Sequence, residues 1–81
     1  MSRTIDESFM LRLYEEALKN PDLYDPVDRY AIGQAIGLQK RGVETICKTL
    51  LRTNFIKQDE GDLIAITPHG VKLARQIRED I

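Results

Sequence analysis

The chain has 81 residues, of which 42% are hydrophobic and 31% are charged, as is typical of one small globular domain. Its twelve Lys and Arg against thirteen Asp and Glu exclude a strongly basic nucleic-acid protein, but they leave room for a locally basic face. One cysteine and one histidine exclude an internal disulfide and a metal site built from His and Cys. No apolar stretch approaches the roughly 18 residues that span a bilayer, and no apolar signal region follows the N-terminus. We therefore expect a single cytoplasmic domain over residues 1–81.

The first predicted helix begins with a capping box over Thr4–Glu7 and runs to about Asn20, where Pro21 stops it. Its wide apolar arc consists of Phe9, Met10, Leu11, Leu13, Tyr14, Ala17 and Leu18. That arc is broader than one core contact needs. A helix packed between two others is favoured over one whose Leu11 and Leu18 also face a second subunit, because single exposed leucines are common.

A second helix is predicted from Asp25, as its cap, through Pro26 in the first turn to about Ile36. Gly37 ends it. The residues expected to be buried on this helix are Ala31, Ile32, Ala35 and Ile36.

Only the short turn Leu38-Gln39 separates this helix from a third, predicted over about residues 40–53. The apolar stripe of the third helix consists of Val43, Ile46, Cys47, Leu50 and Leu51. Cys47 falls within the stripe, so we expect a small buried core residue rather than a redox switch. Asn54 can take the left-handed conformation that ends the helix.

A β-hairpin is predicted next, from extended runs at 55–58 and 63–66 joined by a turn over 59–62. Thr67 then caps a last helix with Pro68 at its first position. This helix is expected to run nearly to Ile81, with an inner face of Gly70, Leu73, Ala74 and Ile77.

The third helix carries a polar row opposite its apolar stripe. With Val43 at 0°, Arg41, Thr45, Lys48 and Arg52 fall between about 140° and 200°. Three of these four are cationic, as a helix in a major groove requires. Any solvated helix also shows charges opposite its stripe, so the row alone does not establish DNA contact.

The near-neutral total charge is the sum of unlike segments. Residues 1–28 carry a net charge of −4 and residues 59–81 carry −2, whereas residues 29–58 carry six cations and one acidic residue, Glu44. The six cations are Arg29, Lys40, Arg41, Lys48, Arg52 and Lys57. Positive charge is thus concentrated in and around the third helix. Six cations are enough to contact several DNA phosphates, which would make the affinity depend on salt.

Three stretches resemble winged-helix transcription regulators. Ile32–Val43 is similar to their helix-turn-helix core, and Leu50–Ile56 resembles the end of their recognition helix running into the first wing strand. Ile66–Ala74 resembles the "Leu-Thr-x-x-Gly-x-x-Leu/Ala" entry into the last helix of the MarR-like branch. The resemblance covers about residues 28–78. It implies a mainly α winged helix-turn-helix fold with a small β-hairpin, in the order helix, helix, turn, helix, hairpin, helix.

A helix docked in this way usually places its N-terminal residues deepest in the groove. The candidates for base reading are therefore Gln39, Lys40, Arg41, Glu44 and Thr45. Lys48 and Arg52 are better suited to phosphates, as is Lys57 at the base of the wing.

Two features depart from the family pattern. Gln39 stands where Ser or Thr often caps the recognition helix, and glutamine caps poorly. Asp59–Asp62, at the wing tip, is acidic where related wings often carry Arg or Lys, so we do not expect the tip to contact DNA.

The sequence therefore predicts a small sequence-specific DNA-binding protein, a transcription regulator that docks its third helix in the major groove. Its expected partners are double-stranded DNA and a second copy, through the first and last helices. The alternative is a winged-helix protein-interaction module without DNA binding, which the acidic wing favours. No catalytic constellation or phosphate loop is visible, so we expect no enzyme activity, no cofactor, no metal, no small-molecule ligand and no membrane partner.

Overall fold

The computed structural model describes residues 3–79, which form a mainly helical fold with a small antiparallel sheet. The elements in chain order are α1 (Ile5–Ala17), β1 (Val27–Asp28), α2 (Arg29–Ala35), α3 (Lys40–Arg52), β2 (Ile56–Gln58), β3 (Leu63–Ile66) and α4 (Pro68–Glu79). The three strands lie in the order β1-β3-β2. None of the helices in the described part has the length and apolarity to cross a bilayer.

Helix α1 begins as predicted and ends earlier than predicted. Thr4 Oγ1 accepts from the Glu7 N–H, and a Glu7 carboxylate oxygen accepts from the Thr4 N–H, which completes the capping box. The helix ends at Ala17 because the N–H groups of Lys19 and Asn20 bond to carbonyls three residues back, which tightens the final turn.

Most of the wide apolar arc of α1 packs inside this chain. Leu11 is only 6% exposed and belongs to the core, whereas Leu18, just past the last helical residue, is 49% exposed. Of the two leucines that could face a second subunit, Leu18 alone offers an exposed side chain.

The predicted start of the second helix is wrong. Val27 and Asp28 form an edge strand paired with Ile64 and Leu63, and α2 begins at Arg29. Asp28 is the cap, since its Oδ1 accepts from the Tyr30 N–H at 2.9 Å. Pairing with β3 therefore overrides the local Asp-Pro signal, and it adds to the sheet a third strand that the sequence pattern does not indicate.

The shift of the helix start also changes which side chains α2 buries. Ile32 and Gly33 face the core, Ile36 is half-buried, and Ala31 and Ala35 are exposed, contrary to prediction. The predicted helix begins several residues too early, and nothing within residues 25–36 alone indicates which side meets α3.

A tight turn connects α2 to α3. Gly37, at φ +82°, lets its own N–H and that of Leu38 bond to the carbonyls of Gln34 and Gly33, as in a Schellman motif. Gly33 lies directly against Val43 of α3, because a Cβ at Gly33 would overlap Val43 Cγ2. The two glycines thus allow α2 and α3 to meet at close range through a minimal connection.

The second half of the chain follows the prediction closely. Asn54, at φ +66°, ends α3 with a second Schellman motif, in which the Phe55 N–H bonds to the Leu50 carbonyl. Strands β2 and β3 form the predicted hairpin. Thr67 Oγ1 caps α4 by accepting from the Gly70 N–H at 3.0 Å. The predicted continuation of this helix beyond Glu79 lies outside the described residues.

One hydrophobic cluster joins α1, α2, α3, α4 and the hairpin strands. Its members include Phe9, Leu13, Ile32, Val43, Ile46, Cys47, Leu50, Ile56, Ile64, Ile66, Ala74 and Ile77. Cys47 is fully buried, as expected. In the predicted stripes, Leu51 and Leu73 are partly buried, and Val71 adds a buried residue that was not predicted. The core fixes α3 by one face and leaves the opposite face to solvent.

Candidate nucleic-acid interface

The exposed face of α3 carries the predicted polar row. Arg41, Thr45, Lys48 and Arg52 are all exposed, on the side opposite the buried stripe. All eight candidate residues are exposed in the fold: Gln39, Lys40, Arg41, Glu44, Thr45, Lys48, Arg52 and Lys57. The core therefore presents this set to solvent, with seven of its members at or within α3 and Lys57 in β2.

The cations of this face have no carboxylate partner among residues 3–79. The ion pairs of the described region join Arg12 and Lys19 to Glu16, and Arg29 to Asp62. Because no carboxylate among the described residues pairs with the cations on α3, their charge is available to an external anion.

Arg29, although it belongs to the basic segment, is not part of this exposed face. Its side chain is only 19% exposed, and its Nη2 lies 3.9 Å from Asp62 Oδ1. The backbone N–H of Arg29 also donates to the Asp62 carbonyl at 3.1 Å, so Arg29 connects the start of α2 to the hairpin turn. Of the six cations in segment 29–58, the other five are at exposed positions.

Two of the base-reading candidates have distinct local geometry. Thr45 Oγ1 donates to the Arg41 carbonyl at 3.0 Å, which directs the hydroxyl hydrogen into the helix and leaves the oxygen as an acceptor. Gln39 occupies the N-cap position of α3 without a side-chain capping bond, as predicted. Its amide group is therefore not committed to the helix terminus.

Tyr30 organises the flank of α3 that faces α2, a role that sequence reasoning missed. Its hydroxyl accepts from Arg29 Nη2 at 3.0 Å and donates to Glu44 Oε2 at 2.9 Å. Its ring lies 4.8 Å from the Arg29 guanidinium carbon and 5.5 Å from Lys40 Nζ, within cation–π range. The hydrogen bond to Glu44 raises the pKa of Tyr30 above its usual value. No local signal marks this contact, because Tyr30 and Glu44 are 14 residues apart on different helices.

The hairpin turn is acidic and well ordered by hydrogen bonds. Gln58 Nε2 donates to the carbonyls of Asp59, Gly61 and Leu63, which closes the loop. The carboxylates of Asp59, Glu60 and Asp62 are at exposed residues, so the tip would repel phosphates. Lys57, on β2, is the cation that the hairpin offers beside α3.

Within residues 3–79, no group of three His, Cys, Asp or Glu side chains is arranged to hold a metal ion. Comparisons with protein-family models, with curated proteins and with solved structures gave no match.

Proposed function

We propose that this protein is a small sequence-specific DNA-binding protein, a transcription regulator of winged helix-turn-helix type, that docks α3 in the major groove. The observation that carries the proposal is an exposed row of cations opposite the buried stripe of α3, namely Arg41, Lys48 and Arg52, which have no carboxylate partner within residues 3–79. The close α2–α3 pair supports it, because close packing against α2 sets the angle at which α3 would enter the groove.

The dimensions of α3 suit this role. Arg41 and Arg52 are eleven residues apart, which corresponds to about 16 Å along the helix axis at ~1.5 Å per residue. A major groove about 12 Å wide admits a helix, whose diameter with side chains is about 10–12 Å, so the cationic row could run along the groove. The cations at the end of α3 would contact phosphates, and the side chains of its first turns would face base edges.

In this proposal Lys48, Arg52 and Lys57 contact phosphates. The residues proposed to face base edges are Gln39, Lys40, Arg41, Glu44 and Thr45.

The proposal is tested by measuring affinity for a fluorescent random-sequence duplex by anisotropy, between about 50 and 200 mM salt. We expect affinity to fall steeply with salt. Lys48→Ala and Arg52→Ala, each made singly, should reduce the slope of log K against log salt by about 0.9, because each phosphate that the protein neutralises contributes about 0.9 to that slope.

Lys72→Ala is the matched control, because it removes one exposed cation from α4 instead of α3. The control should keep the wild-type slope. No binding near 50 mM salt, or an equal reduction of the slope in the control, would contradict the proposal.

The acidic hairpin favours a second candidate, a protein-interaction module. Exposed Asp59 and Glu60 at the tip suit a basic protein surface better than a phosphate backbone. This candidate predicts no salt-dependent DNA affinity and no effect of the α3 substitutions on partner binding.

A further inference from the structure

Glu44 is an unusual residue for a surface that binds a polyanion. It is the single acidic residue in segment 29–58, and it lies on α3 four residues from Lys40 and four from Lys48. A carboxylate close to DNA phosphates weakens binding unless it accepts a hydrogen bond from the target. Its position therefore requires an explanation if α3 enters the groove.

The carboxylate of Glu44 is held at one oxygen by the Tyr30 hydroxyl. An Arg guanidinium can only donate, so the Tyr30 hydroxyl oxygen accepts from Arg29 and its proton points to Glu44 Oε2. Arg29 and Lys40 hold the Tyr30 ring through cation–π contacts. Glu44 Oε1 makes no hydrogen bond to the described residues, and Glu44 is exposed. One oxygen anchors the group and the other is available as an acceptor.

The pattern of hydrogen-bond donors and acceptors on the base edges in the major groove determines which bases such an acceptor can bind. Guanine N7 and O6 and thymine O4 are acceptors, and they repel a carboxylate. Adenine offers the N6 amino group beside the acceptor N7, whereas cytosine offers the N4 amino group with no neighbouring acceptor on its own edge. An ionised carboxylate on the groove-facing helix is thus most compatible with cytosine.

We propose that Glu44, oriented by Tyr30, selects a cytosine through its N4 amino group at one position of the DNA site. This inference rests on the proposed function. Tyr30 is a positioning residue, because it acts on the base only through Glu44. It reduces the rotamer freedom that Glu44 would lose on binding, because the Tyr30 hydroxyl already holds one carboxylate oxygen.

The test selects binding sites from a random duplex library with the wild-type chain and with the variants E44A, E44Q, Y30F and E60Q. The wild type should enrich cytosine at one position that E44A does not enrich. E44Q should move the preference at that position toward adenine, whose N6 and N7 match a glutamine amide. E60Q is the matched control, since it removes one exposed carboxylate from the hairpin tip and should leave every preference unchanged.

Affinities for the selected duplex and for its single-base variants then give magnitudes. Replacing the cytosine pair should weaken the wild type by about fivefold or more, the ratio that corresponds to about 1 kcal/mol per mismatched pair. The same replacement should leave E44A unaffected. Y30F should reduce the cytosine preference while keeping the salt dependence of the wild type, which a merely structural loss would not do.

The possible failures are distinguishable. If the wild type binds no duplex near about 50 mM salt, the proposed function fails and this inference fails with it. If the wild type binds with steep salt dependence but E44A and E44Q select the same bases as the wild type, only the cytosine assignment is overturned. If Y30F keeps the full cytosine preference, the positioning role of Tyr30 is overturned. Because Glu44 and Glu60 are exposed, their variants are expected to fold, and thermal unfolding checks this.

Discussion

At the residue scale, two glycines test how closely α2 and α3 approach each other. A Cβ at Gly33 would overlap the Val43 side chain, which is short, stiff and fully buried. We expect Gly33→Ala to destabilise the fold by about 1–2 kcal/mol, since overpacking outweighs the gain in helix propensity. A Cβ at Gly42 meets only the flexible end of Leu38 at 3.1 Å, so Gly42→Ala should stabilise by up to ~1 kcal/mol. Urea unfolding of both variants measures the difference, and equal effects would contradict the packing described for Gly33.

The thiol of Cys47 tests how firmly α3 is held in the core. Burial raises the pKa of this fully buried thiol, so folding favours its neutral form. The resulting contribution to stability is complete below the pKa of the thiol in the unfolded chain, and it is lost as the pH rises through the higher folded value.

We expect the native protein at about pH 8 to react with a thiol reagent at least ~100-fold more slowly than the unfolded chain, because reaction requires opening. An aromatic disulfide serves as the reagent, and the absorbance of the coloured thiolate that it releases follows the reaction. Equal rates for the native and unfolded chains would mean that Cys47 is accessible, which would overturn its placement in the core.

At the element scale, the start of α2 depends on Asp28. Its carboxylate caps the helix, so Asp28→Ala should destabilise the fold by about 1 kcal/mol. Asp25, which the sequence indicates as the cap, accepts no capping bond in the structure, so Asp25→Ala should have a much smaller effect. Thermal unfolding of the pair measures this, and the reverse order would restore the sequence-based boundary.

The elements that sequence reasoning predicted correctly share one property, which is that their signals are local. Helix starts are marked by capping side chains that bond to backbone N–H groups three residues away, at Thr4 and Thr67. Helix ends are marked by residues that take a positive φ, at Gly37 and Asn54. The missed features depend on contacts between distant segments. Strand β1 exists because Val27 pairs with Ile64, and neither residue signals the other locally.

The same distinction applies to the candidate site. The alternation of polar and apolar residues on α3 was sufficient to predict that the cationic row is exposed. The contact between Tyr30 and Glu44 and the withdrawal of Arg29 toward Asp62 were not predictable, because each joins two elements whose relative placement is set by the whole core.

At the scale of the whole molecule, the proposed docking would let a single α3 cover one half-site, so tight specific binding would call for a second copy. We propose that two copies pair through α1 and α4, with exposed Leu18 as an apolar contact. Leu18→Glu should leave the fold stable and weaken pairing, as measured by sedimentation velocity with and without duplex DNA. A wild type that remains monomeric on DNA at high concentration would contradict this pairing.

The distribution of charge over the molecule confines the proposed DNA contact to one face. The exposed cations of α3 lie opposite the core, whereas the hairpin tip is acidic. The most direct test is to titrate a duplex into the isotopically labelled protein and to follow each backbone amide by NMR. We expect the amides over residues 39–52 and at Lys57 to shift most, and those of the acidic hairpin tip over residues 59–62 to shift little. Shifts concentrated on the hairpin tip, or no shifts at low salt, would contradict the proposed docking of α3.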